Sequence, residues 1–260
     1  MATSFKSNDT NVSEILKTIS DGRNQLPDFQ RGWVWDDNRI KALIASISNS
    51  YPVGALMFLE YGGDTVRFKS RLFTGVDGSK KEVRPDALVL DGQQRLTSIY
   101  TSMYCRDAVP TRTDKNQDID RYYYLDIIEC LKDEVDREDA ILSIPEDKTV
   151  RSDFGRQIDL DLRTREDEFK NHVFPLNIVY DLIACNTWQN DYQAYHQYSP
   201  EILQRYAKFS TEVLHVIQTY KVPVITLPRI VCLLCISTLS LFCMFSRFLP
   251  ASLDFIRRFA

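Results

Sequence analysis

Histidine is scarce in this chain: three in 260 residues, His172, His196 and His215. None stands at the spacing of a zinc finger or a zincin helix, so no protein-built zinc site is expected. The absence of a G-x-S-x-G removes the nucleophile elbow of the α/β-hydrolases, and no HNH-like nuclease pattern occurs either. The opening residues, MATSFKSNDT, lack the apolar centre of a secretory leader. Six cysteines, Cys105, Cys130, Cys185, Cys232, Cys235 and Cys243, are spread along the chain, and a reducing cytoplasm is the expected setting. A net charge of −4 argues against a surface that is basic throughout and grips nucleic acid by neutralising many phosphates, although a local basic cleft remains compatible with it.

What is there is the composition of a globular protein: 44% hydrophobic and 26% charged residues, in a chain long enough to bury its own core. Val12, Ile15, Leu16 and Ile19 recur at helical spacing, and Ile40, Leu43, Ile44 and Ile47 do so again after Asp36 and Asp37, either of which can cap. VGALMFLE (Val53 to Glu60), Ala87 to Leu90, YYYLDII (Tyr122 to Ile128) and VPVITL (Val222 to Leu227) read as strands. Lys69 to Val83 reads as a hairpin or loop, and Cys130 to Arg156 as charged, exposed helix and loop. Phe174 to Trp188 and Glu201 to Tyr220 read as helices. The expected class is α/β or α+β, with a mainly helical second half.

Two stretches carry chemistry. In LVLDGQQRLT, Leu88 to Thr97, a strand runs into Asp91-Gly92 and opens a helix at Gln93, Gln94 and Arg95. The first amides of such a helix are unpaired donors at the positive end of its dipole, which together form an anion site. Gly92 permits a sharp turn, and Arg95 offers a phosphate a planar fork. A carboxylate beside a phosphate repels it unless a cation intervenes, so Asp91 suits a magnesium contact or the orientation of a water nucleophile. Gln93 and Gln94 can position that water or bond a ribose or base. The same residues also read as a capping aspartate, exposed glutamines and an Arg95 paired to a nearby acid. In LPDFQRGWVW, Leu26 to Trp35, Gln30 and Arg31 offer a second phosphate contact. Trp33 and Trp35 either stack on a base or anchor the core. Arg151, Arg156, Arg163 and Arg165 could add to a DNA-facing patch, with nearby acids cancelling most of their charge.

The succession LPDFQRGWVW, helix, YPVGALMFLE and LVLDGQQRLTSIY resembles the opening of the GmrSD-type restriction endonuclease N-terminal domain, and the likeness runs from Ile15 to Leu227. That resemblance implies an α+β fold with a ParB-like core and a small mixed sheet over residues 1–128, and a mainly helical remainder of the same domain over 129–228. It implies a module that binds, and hydrolyses, a nucleoside triphosphate with magnesium in defence against phages carrying modified DNA. An HNH-type nuclease domain or subunit is the implied partner, and no membrane is expected. The implied site is Asp91, Gly92, Gln93, Gln94 and Arg95, faced by Gln30 and Arg31; Asp91, Gln93, Gln94 and Arg95 serve catalysis, Gln30, Arg31, Gly92 and Arg95 hold nucleotide, and Asp91 meets the metal. The alternative is a non-catalytic DNA-binding or modification-sensing module on the same scaffold.

The end of the chain departs from that pattern. Residues 229–260 contain no Lys, Glu, Gly, Asn, Gln or Tyr, yet they hold three cysteines and four arginines. They read as a frameshifted segment, or else as a hydrophobic tail or membrane anchor. Cys232 and Cys235 form a C-x-x-C without a second pair, which argues against zinc or redox chemistry there.

Overall fold

The computed structural model describes residues 6–62, 68–153 and 156–228. Residues 229–260, and with them every expectation about the tail, lie outside the described residues.

The first strand, β1 (Lys6–Asn11), leads into α1 (Val12–Ser20), whose apolar residues are all buried on one side. Next come β2 (Asn24–Pro27) and a loop, then α2 (Asp37–Ser48). Asp36 supplies the cap of α2, its carboxylate accepting the Arg39 amide at 2.9 Å. Asp37 instead accepts the Tyr123 and Ser143 hydroxyls, each at 2.7 Å, which ties the helix start to the second sheet. β3 (Leu56–Glu60), β4 (Ser70–Arg71), β5 (Ala87–Asp91) and α3 (Gln93–Met103) complete the first half.

β6 (Val109–Arg112), β7 (Asp118–Asp126), β8 (Ile141–Pro145) and β11 (Val173–Pro175) form the second sheet, with β7 pairing to each of the other three. Between β8 and β11 lie a hairpin, β9 (Thr149–Ser152) with β10 (Gln157–Asp161), and the short α4 (Arg165–Lys170). α5 (Leu182–Tyr195) follows, then α6 (Pro200–Phe209), which passes through a widened turn at Ser210–Leu214 into α7 (His215–Gln218). The last described strand is β12 (Lys221–Leu227).

Among the described residues the main sheet has six strands, in the order β1-β12-β3-β5-β2-β4. β12 lies parallel to β3 and antiparallel to β1, so the last strand enters the sheet between the first and the third. β5 lies antiparallel to β3 and parallel to β2. Being interior to the sheet, β5 buries Leu88 and Val89 completely, which fixes where its last residue, Asp91, emerges. The fold is α+β, as expected.

Two stretches differ from their sequence reading. Cys130 to Arg156 contains β8 and β9 rather than exposed helix, because Ile141 and Ile144 turn inward from among charged neighbours too dense for the apolar pattern to stand out. Phe174 to Trp188 is broken: its start pairs with β7, and α5 begins only at Leu182, where the Asp181 carboxylate caps the Ala184 amide at 2.9 Å. Around Trp188, fully buried, Phe174 and Tyr192 each lie 5.0 Å away between ring centres. Among the described residues, no helix is long and apolar enough to cross a membrane.

Candidate functional site

The turn from β5 into α3 is set by Gly92, at φ +91°, a left-handed conformation that L side chains rarely adopt. A β-carbon there would also collide with the Leu56 side chain of β3. Gly92 therefore serves the closeness of strand to strand as well as the turn. Asp91 does not cap α3: the capping position belongs to Gly92, which makes no side-chain cap, and among the described residues no other side chain is seen to cap the first turn. The helix is buried along much of its length, and Thr97, Ser98, Thr101 and Ser102 each return a hydroxyl to the carbonyl four residues back.

Gln93 and Gln94 are not exposed, at 7% and 8% accessibility. Their amides are spent on the backbone of the loop between β2 and α2. Gln93 Nε2 donates to the Arg31 carbonyl at 2.9 Å, and Gln94 Nε2 to the Gly32 carbonyl at 3.0 Å. Gln94 Oε1 accepts the Val34 amide at 3.0 Å. Trp33 Nε1 donates to Ser98 Oγ at 3.0 Å, so the first tryptophan packs against the core and pins the loop to α3. Trp35 packs there too, and its carbonyl accepts the Thr111 hydroxyl at 2.9 Å. Gln30 reaches the other way, donating from Nε2 to Val89 O at 2.9 Å and Leu90 O at 2.8 Å. Its Oε1 is buried without a hydrogen-bond partner among the described residues.

Arg95 is the clamp of a different turn. Its Nη1 donates to Val53 O at 2.6 Å and its Nη2 to Ala55 O at 2.9 Å, and Nη2 lies 3.2 Å from Asp91 Oδ2. Gly54, at φ +88°, makes room for it, since a β-carbon there would come within 2.8 Å of Nη1. The Arg95 side chain is 19% exposed and that of Asp91 45%. The reading in which Arg95 pairs with an acid thus describes its contacts, and the acid is Asp91 itself.

The structure brings all seven candidate residues together: the β5–α3 turn on one side, the Gln30-Arg31 loop on the other. Two charged groups there stay open to a ligand. One is the half-exposed Asp91 carboxylate. The other is the exposed Arg31 guanidinium, which has no hydrogen-bonding or ionic partner among the described residues. Two of the surface cavities among the described residues lie elsewhere. The larger, about 630 Å³, is lined by Glu60, Tyr61, Arg84, Pro85 and Asp86. The other, about 400 Å³, borders the Arg95-clamped turn at Val53 and is lined also by Ser50, Tyr220 and Lys221. Among the described residues, no three His, Cys, Asp or Glu side chains gather as a metal site.

A family described as the N-terminal domain of the GmrSD restriction endonuclease matches residues 12–245. The chain belongs to that family. The match covers the whole of the GmrSD-type likeness seen in the sequence and runs beyond Pro228. Membership in the GmrSD N-terminal domain family implies a component of a restriction system. An uncharacterized protein of Methanocaldococcus jannaschii is 26% identical over 226 residues, 85% of this chain and 36% of the relative. The chain thus spans about a third of the length of that relative.

One contributor escaped the sequence reading. Arg71, on the edge strand β4, donates from Nη2 to Gln30 O at 3.3 Å and to Arg31 O at 3.1 Å. It lies in a stretch read as a hairpin or loop, and nothing in its neighbours' pattern signals that it reaches the Gln30-Arg31 loop. Of the DNA-patch arginines, Arg151, Arg163 and Arg165 are each paired to an aspartate, Asp147, Asp161 and Asp191.

Proposed function

We propose that this chain is the nucleoside triphosphate-binding and hydrolysing regulatory domain of a restriction system that acts on modified phage DNA. The observation that carries the reading is the N-terminus of α3, which Gly92 leaves without a side-chain cap: the strand leading into it ends in the half-exposed Asp91, and Gln93 of its first turn bonds the carbonyl of Arg31, whose guanidinium is exposed. A helix start and an arginine bind phosphate, and a carboxylate at the same turn is compatible with that phosphate when a cation accompanies the ligand. Magnesium suits this donor set, because it keeps most of its water and takes one or two carboxylates together with the phosphates. When bound, it would neutralise charge on the triphosphate, with Asp91 as its protein ligand.

The chain's own residues divide the remaining work. Arg31 holds phosphate, and Asp91 orients the attacking water or the metal-bound phosphate. Gln93 and Gln94 hold the Arg31 loop through its carbonyls and so shape the site rather than touch the nucleophile. Arg95 keeps Asp91 aimed and the Val53–Ala55 turn closed. Turnover would gate an HNH-type nuclease domain or subunit.

The chain is expected to release phosphate from GTP or ATP in the presence of magnesium. Asp91→Asn, which keeps an oxygen for Arg95, should reduce the rate by at least about a hundredfold. Undiminished turnover in that variant would take Asp91 out of the mechanism.

One observation favours a second reading, a DNA-binding or modification-sensing module without catalysis: both glutamines are committed to backbone contacts, which leaves few groups to position a nucleophile. That reading requires salt-dependent DNA retention in the absence of any phosphate release.

A further inference from the structure

We infer that Arg71 is a positioning residue for Arg31, acting with Gln93 through one shared carbonyl oxygen. The inference rests on the nucleotide reading above and adds to it a residue outside both sequence motifs.

The geometry converges on the Arg31 carbonyl. Gln93 Nε2 donates to it at 2.9 Å from α3, and Arg71 Nη2 donates to it at 3.1 Å from β4. Arg71 Nη2 also reaches Gln30 O at 3.3 Å, and Gln30 in turn donates to the carbonyls of Val89 and Leu90. The base of the loop is held as well: the Asp28 amide donates to Lys69 O at 2.8 Å, and the Gln30 amide to Pro27 O at 3.2 Å. Leu26 pairs with Arg71 in the sheet, so the arginine that reaches the loop is fixed at its own backbone.

A carbonyl that accepts from two directions cannot rotate without losing one bond, and one of these donors is charged. The backbone of Arg31 is therefore set before any ligand arrives, while its side chain alone stays free. Arg71 makes no ion pair with a carboxylate among the described residues, so a through-space effect of its charge is the alternative to positioning. The two effects can be separated. Positioning acts only through Arg31, whereas a through-space charge acts whether or not Arg31 is present.

The test is a double-mutant cycle on the full chain, reading equilibrium binding of magnesium-GTP and magnesium-ATP. Arg31→Ala should weaken binding by about tenfold or more, and Arg71→Ala by about tenfold. In the Arg31→Ala background, Arg71→Ala should change nothing further. Arg71→Lys, which keeps the charge and one donor, guards against a loss of folding: its loss should be smaller and should vanish equally once Arg31 is gone. Additive effects, or an Arg71→Ala variant that binds like the wild type, would overturn the positioning role and leave the nucleotide reading standing. A wild-type chain that binds neither nucleotide would overturn both.

Discussion

At residue scale, two glycines near the site separate a structural demand from mere tolerance. Gly92 sits in the left-handed region with Leu56 where a β-carbon would go, so Gly92→Ala should cost about 2–4 kcal/mol, from backbone strain plus overpacking. Gly32 has open space around it. Gly32→Ala should be neutral or stabilise by up to about 1 kcal/mol. Urea unfolding of the two variants checks the contrast, and equal losses would contradict it. His172 gives a pH dependence. Burial, then the neighbouring His196 and the Arg205 charge, hold its imidazole down, from 6.5 to about 4. Between those values the unfolded chain takes up a proton that the folded one refuses, so stability is full above 6.5 and falls as pH drops toward 4. His172 has φ +56°, which asparagine tolerates. His172→Asn should therefore flatten the slope of stability with pH across that window, measured by denaturant midpoints.

At the scale of elements, the loop between β2 and α2 owes its shape to side chains from elsewhere gripping its backbone. Gln94 provides both a donor and an acceptor to it, with the partner residues 62 and 60 positions away in sequence. Gln94→Ala should leave the Gly32 carbonyl and the Val34 amide unmet, at a cost of about 2–3 kcal/mol. The direct readout is amide exchange: Val34 should lose its protection while β5 keeps its own. Retained protection at Val34 would mean that the loop is held without Gln94. Much of this region was legible beforehand. The strand, the glycine turn and the helix follow from LVLDGQQRLT, and an aspartate cap at 36 or 37 from the residues before α2, of which the structure uses Asp36. The role of the glutamines was not legible, because a glutamine that meets ligand and one that meets a carbonyl of another loop look alike until the second loop is placed.

Over the whole molecule, β12 lies between β1 and β3, so the sheet that presents Asp91 is closed by its last described strand. Val222 is 2% exposed and pairs with Thr10 of β1. Val222→Asp would bury an unpaired carboxylate and should abolish the cooperative thermal transition of the full chain. A sharp transition near that of the wild type would show that the sheet does not depend on this strand.

The sequence by itself determined the elements whose signals are local: helices with a 3.6-residue apolar period, the VPVITL strand, and the Asp91-Gly92 turn that only glycine can make. It also carried the family, through motifs read in order. Tertiary structure alone decided that β12 inserts beside β3, that Arg95 spends its guanidinium on the Val53–Ala55 turn, and that Gln93 and Arg71 meet at one carbonyl. The physical reason is that such contacts join residues 40 to 168 positions apart, and which donor finds which acceptor is set by how the buried faces pack.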